Sequence, residues 1–121
     1  MKKVFDNKKT LTKRQVREAK IGGVFIVNDK IVFNHKGKEK PRRVVLVGKR
    51  GSSVIVAPIR HRPPGTMEVS RFDGNRCIRL DKSVLISKNK VYSKNSFKGT
   101  NNDYLTKHEK VLLIRKILGY K

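Results

Sequence analysis

The chain holds one cysteine, Cys77, and only nine acidic side chains among 121 residues. A single thiol excludes an internal disulfide and fits a reducing compartment. There is no paired-cysteine metal site, no Walker loop and no G-x-S-x-G nucleophile elbow, so neither a metal nor a cofactor is expected. No apolar run approaches transmembrane length. The basic start, "MKKVFDNKKTLTKR", lacks the apolar stretch that follows the charged region of a secretory signal. Repeats and linkers are absent too. Hydrophobic residues make up 36%, which allows one domain with a small core. These absences predict a soluble cytoplasmic protein with no membrane partner.

What the chain has in excess is positive charge: 31 Lys and Arg, for a formal charge of +22. Such an excess repels itself and is usually kept for an anionic partner. Nucleic acid is the first candidate, then an acidic protein, then an anionic membrane surface.

Two capping boxes mark helix starts. Thr12 with Gln15 opens a helix over about 12–20, with Leu11 and Val16 as its hydrophobic staple and Gly22-Gly23 as its end. Thr106 with Glu109 opens a second, in which Val111, Ile114 and Leu118, and Leu113 and Ile117, form one broad apolar face before Gly119. Between them "GGVFIVND" and "KIVFN" read as strands or one bent strand. "RRVVLVG" and "SSVIVAPI" read as strands around the turn "KRGS", with a charged loop before and a Pro/Gly turn after. "MEVSRF" reads as a strand, "CIRLDKSVLIS" as one strand or two, and "KVYSKNSF" as a short helix or strand. The expected fold is mainly β or α+β, a small barrel-like sheet with helices at the ends.

The central hairpin predicts a site. With Arg50-Gly51 at its tip, Val47 faces Val54, Val44 faces Ala57, and Pro41 and Lys40 come opposite Arg60 and His61. Lys36, Lys38, Lys40, Arg42 and Arg43 then converge with Arg60, His61 and Arg62 at one end of the sheet. A slip of register by two leaves that convergence in place. Like charges so gathered favour an anion among them, and phosphate suits guanidinium and ammonium donors. The tip itself, with Lys49 and Arg50, reads as a solvated turn.

Cleaving RNA needs a base for the 2′-hydroxyl, cations for the developing phosphorane charge and an acid for the leaving oxygen. His35 and His61 flank the two converging segments, and histidine titrates near neutrality. His108 falls in the first turn of the last helix, where surface placement is the simpler account. Glu68 and Asp73 are the possible carboxylates, with Asp73 better read as a turn residue. Tyr92 and Phe97 could stack bases or fill the core.

The order Gly23-Val24-Phe25-Ile26-Val27, charged loop, "KPRRVVLV", "VIVAPI" resembles the PemK/MazF family of toxin endoribonucleases. That family runs a G-D-I/V strand, a loop, an R-P-x-x-V strand and a strand ending A-x-I-T. "MEV", "LDKSVLI", "KVYSKNSF" and "LTKHEKVLLIRKIL" follow in the family's order, so the likeness spans about residues 22–118 of a single domain, 1–121. Residues 1–21, a loose tail and the short helix, lie outside it; that helix would cover a sheet edge or add basic surface.

The resemblance implies an SH3-like barrel that dimerises, cuts single-stranded RNA without a metal and is neutralised by a small acidic antitoxin. It also implies that Lys40, before Pro41, stands where the family has arginine. Arg60 stands where the family has threonine, and both positions are implicated in cleavage there. Either Arg60 with His61 or His35 rebuilds a catalytic site alongside Lys40, or the chain is a nucleic-acid-binding module, regulatory or carried by a mobile element, that no longer cuts. A third reading is a protein-interaction domain whose charge meets an acidic partner.

Overall fold

A computed structural model of the chain describes residues 9–33, 40–60, 67–69, 76–93 and 105–118. Its elements in chain order are α1 (Lys13–Glu18), β1 (Val24–Asn28), α2 (Asp29–Phe33), β2 (Pro41–Arg50), β3 (Ser53–Arg60), β4 (Met67–Val69), β5 (Arg76–Ile78), β6 (Val84–Ser87), β7 (Val91–Ser93) and α3 (Lys107–Ile117). Short 3-10 turns at Leu80–Lys82 and Lys88–Lys90 lead into and out of β6.

Five strands form an antiparallel sheet that curls into a half-barrel, in the order β6-β3-β2-β1-β7. The last residues of β3 leave it to pair with β5, and β5 pairs with β4. Strand period two gives the sheet two buried faces. Val44, Leu46, Val54 and Val56 join one cluster with Leu11, Val16 of α1 and Val32 of α2. Val45, Ala57 and Ile59 join another with Ile78, Leu105 and Leu113 of α3. The single domain expected from composition is compatible with these two clusters sharing one sheet.

Both capping boxes form. Thr12 accepts from the Gln15 amide at 3.1 Å, and the Gln15 side chain takes the Thr12 amide at 2.8 Å. Thr106 and Glu109 repeat the pattern at 3.1 and 2.8 Å. The staple residues Leu11 and Val16 are both buried. The segment before α1 also protects a sheet edge: Thr10 bridges Tyr92, and the Leu11 amide donates to the Val91 carbonyl at 2.9 Å.

Two expectations change, and two open readings are decided. Residues 30–33, read as strand, belong to α2. The Asn28 side chain accepts the Lys30 amide at 3.2 Å, which turns the backbone into α2 and buries Val32. "CIRLDKSVLIS" divides into β5 and β6, and "KVYS" supplies β7. The hairpin tip is Gly51-Ser52 rather than Arg50-Gly51, with Arg50 opposite Ser53 and Lys49 opposite Val54. Between Leu46 and Gly48 the register shifts by one, so Val45 faces Ala57 and Val44 faces Pro58. A β-bulge at Val47 accounts for the shift, because one residue of β2 there has no partner across the ladder. Gly119 lies outside the described residues.

Candidate nucleic-acid interface

The site starts from a proline. Pro58 has no N–H, and Val44↔Pro58 is the last rung between β2 and β3. Beyond it the two strands take different neighbours. Arg43, Arg42 and Pro41 pair with Ile26, Val27 and Asn28 of β1, while Ile59 and Arg60 pair with Ile78 and Cys77 of β5. The beginning of β2 and the end of β3 nevertheless stay together, because Arg42 bridges them. Its Nη1 donates to the Ile59 carbonyl at 3.3 Å, and its Nε donates to Asp29 Oδ1 at 2.6 Å.

Burial decides what Arg42 does. Its side chain is 17% exposed and that of Asp29 is 1% exposed. A guanidinium held this way braces the backbone and supplies local charge, with two of its donors turned inward. Lys40, by contrast, is exposed, and its carbonyl accepts the Asp29 amide at 2.9 Å. Arg43 is half-buried. Arg60 is the last residue of β3, at the same end as Lys40. In the backbone register Arg60, Cys77 and Glu68 occupy one row across β3, β5 and β4.

His35, Lys36 and Lys38 on one side, and His61 and Arg62 on the other, lie outside the described residues, as do Asp73 and Phe97. Each group of cations adjoins an end that the structure holds together: residues 34–39 run up to Lys40, and 61–66 leave Arg60. Tyr92 is half-buried on β7, and His108 is exposed on α3.

Lys49 is exposed near the hairpin tip, as expected, but it also has partners in α1. Its ammonium donates to the carbonyls of Val16, Arg17 and Ala19 at 3.2, 3.1 and 2.7 Å, which caps the C-terminal turn of α1. A cleft of about 410 Å³ opens beside it, lined by Lys13, Val16, Arg17, Lys49, Gly51 and Ser52. It sits at the opposite end of the hairpin from Lys40 and Arg60, with Lys49 nine residues or about 30 Å from Lys40 along β2. Its walls are mainly apolar and Lys49 has its three protons engaged, so the converging cations are the better anion site.

Sequence reasoning missed Asp29. It sat inside a segment read as strand, where a lone acid has no evident use. The available signal was its rarity, one of nine acids in a chain of charge +22, placed where an apolar run stops. Among the described residues no helix is long and apolar enough to cross a membrane. Comparison of the sequence with protein-family models and with curated proteins gives no match.

Proposed function

We propose that this chain binds single-stranded RNA at the end of the sheet where β2 begins and β3 stops, and cleaves it there without a metal, as a toxin of the PemK/MazF kind. The observation that carries the reading is the Arg42 bridge. It keeps Lys40 and Arg60 at one end of the sheet although they are separated by twenty positions and their strands no longer share a ladder.

In the proposed reaction a neutral histidine, His61 or His35, takes the proton of the 2′-hydroxyl as its oxygen attacks phosphorus. Arg60 and Lys40 stabilise the charge of the phosphorane. A protonated histidine returns a proton to the departing 5′-oxygen, leaving a 2′,3′-cyclic phosphate and a 5′-hydroxyl. Lys36, Lys38, Arg43 and Arg62 hold the flanking phosphates, and Arg42 braces the strands that carry them.

Other parts of the reading have narrower support. The curl of the five-stranded sheet is compatible with an SH3-like barrel. Pairing of two copies is supported by α3, where Val111, Ile114, Ile117 and Leu118 are 41–65% exposed on an amphipathic helix. The net charge supports an acidic antitoxin as partner, and the lone cysteine a cytoplasmic setting.

A second reading is favoured by Lys40 and Arg60 standing where the family has arginine and threonine: a module that binds RNA and does not cut it. Incubating the pure protein with single-stranded RNA in EDTA separates the two. Fragments from the wild type, lost in Arg60→Ala and His61→Ala, support cleavage. Intact RNA with tight, salt-dependent binding supports the second reading. Neither fragments nor binding removes both.

A further inference from the structure

We infer that Asp29 is the positioning residue of this cationic end: one buried residue whose amide holds Lys40 and whose carboxylate, through Arg42, holds the strand end that carries Arg60. For its effect on RNA the inference rests on the reading above; for the placement itself it stands on geometry.

Asp29 is the first residue after β1, at the start of α2, and it is fully buried. Through its backbone it holds the residue before β2, since its amide donates to the Lys40 carbonyl at 2.9 Å. Through its side chain it holds the end of β3. Oδ1 fixes the Arg42 Nε at 2.6 Å, and the same guanidinium reaches the Ile59 carbonyl, one residue before Arg60, at 3.3 Å. Pro58 has already ended the rungs between their strands.

Stability is a poor reason for such an arrangement. A buried ion pair recovers little beyond the desolvation of its two charges, and apolar side chains of similar volume often serve as well. What the pair supplies is direction. It anchors a guanidinium in one orientation within a cluster of like charges that would otherwise push Lys40, Arg43 and Arg60 apart when no RNA is bound. It also places the balancing negative charge out of reach of solvent, so it does not compete for the cations that face a ligand.

The sign of one substitution tests this. If Asp29 were only a background charge, Asp29→Asn would raise the positive potential of the site and tighten RNA binding. If it positions the site, the same change weakens binding, by about tenfold for the loss of one charge-assisted bond. The probe is a fluorescein-labelled 2′-O-methyl RNA of mixed sequence at fixed salt, which binds without being cleaved. Arg42→Lys, which keeps the charge and loses the fork, is expected to weaken binding comparably, and the double variant no further. Arg42→Lys also carries the test if Asp29→Asn does not fold. Leu113→Ala, a core truncation on the buried side of α3, controls for general loss of stability.

Weaker binding in the two site variants with Leu113→Ala unchanged supports the inference. Tighter or unchanged binding, or an equal loss in Leu113→Ala, overturns it. If the wild type binds no RNA, the RNA reading fails, and the backbone amide resonance of Arg60 decides the placement alone. A shift at Arg60 in the Asp29→Asn and Arg42→Lys proteins supports it, and an unmoved Arg60 resonance overturns it.

Discussion

Nζ of Lys49, near the end of β2, lies 2.7 Å from the carbonyl oxygen of Ala19, thirty positions earlier in the chain. With the Val16 and Arg17 carbonyls as further acceptors, this one ammonium ties α1 to the hairpin and satisfies groups that a six-residue helix leaves open. Removing the ammonium while keeping the stem, in Lys49→Met, is expected to lower stability by about 1–2 kcal/mol. Urea unfolding followed by circular dichroism checks it. An unchanged midpoint would show that the three bonds contribute nothing beyond what water offers.

Gly22 and Gly51 both have positive φ, at 93° and 61°, but differ in what surrounds them. A Cβ at Gly22 would meet Lys110 Cγ at 2.7 Å, and its amide already donates to the Leu46 carbonyl at 2.8 Å. At Gly51 nothing lies within 4 Å. Gly51→Ala therefore carries backbone strain alone, about 1 kcal/mol, whereas Gly22→Ala adds a displaced lysine stem on α3 and costs more. Thermal unfolding of the two variants side by side gives the order. The reverse order rules out the close approach of α3 to the turn before β1.

The Asp81 carboxylate is gripped by the Arg79 guanidinium, with Nε at 2.7 Å from Oδ1 and a second bond from Nη2 to Oδ2. The hydrogen bond to Arg79 lowers its pKa from 3.8 to about 2. A carboxylate depressed in the folded state adds stability above its unfolded pKa and loses it as pH falls toward the folded value. The affected window is thus pH 4 down to about 2. In Arg79→Ala the Asp81 titration, followed by carboxyl carbon NMR, should return toward 3.8. Asp81→Asn should flatten the acid limb of stability in that window.

At the proposed RNA site, Lys40→Ala removes one exposed cation without touching the core. The slope of log affinity against log salt should become shallower by about 0.7, the value for one lost phosphate contact on a single strand. Arg60→Ala should reduce the slope similarly and abolish cleavage. A slope unchanged in both variants would move the RNA elsewhere on the surface.

The exposed stripe of α3 makes a prediction about assembly. Ile114→Lys places a further cation among Val111, Ile117 and Leu118. If those side chains meet a second copy, it should shift a dimer to monomer in analytical ultracentrifugation. A wild type that stays monomeric at high concentration leaves the stripe without that role.

How much of this was legible in advance depends on the range of the interaction. The capping boxes at Thr12 and Thr106 were readable because each is closed by residues three apart. The hairpin was readable from "VVLV" and "VIVA", but its register was not, because the bulge at Val47 depends on how β2 fits β1 and β3 at once. The breadth of the apolar face on α3 was visible, yet only Leu113 among those five residues is buried. Periodicity reports which face is apolar and cannot report how much of it the sheet covers.

The amino-acid order alone determined the excess of positive charge and the local helix starts, since each follows from composition or from contacts within a few residues. Tertiary structure decided which cations act as braces within the fold. Arg42 and Lys49 look like their exposed neighbours in the sequence. Both are held because Asp29, the Ile59 carbonyl and the end of α1 arrive beside them from elsewhere in the chain; Lys49 stays exposed, whereas Arg42 is largely buried, since a charge leaves water only where partners at hydrogen-bond distance replace it.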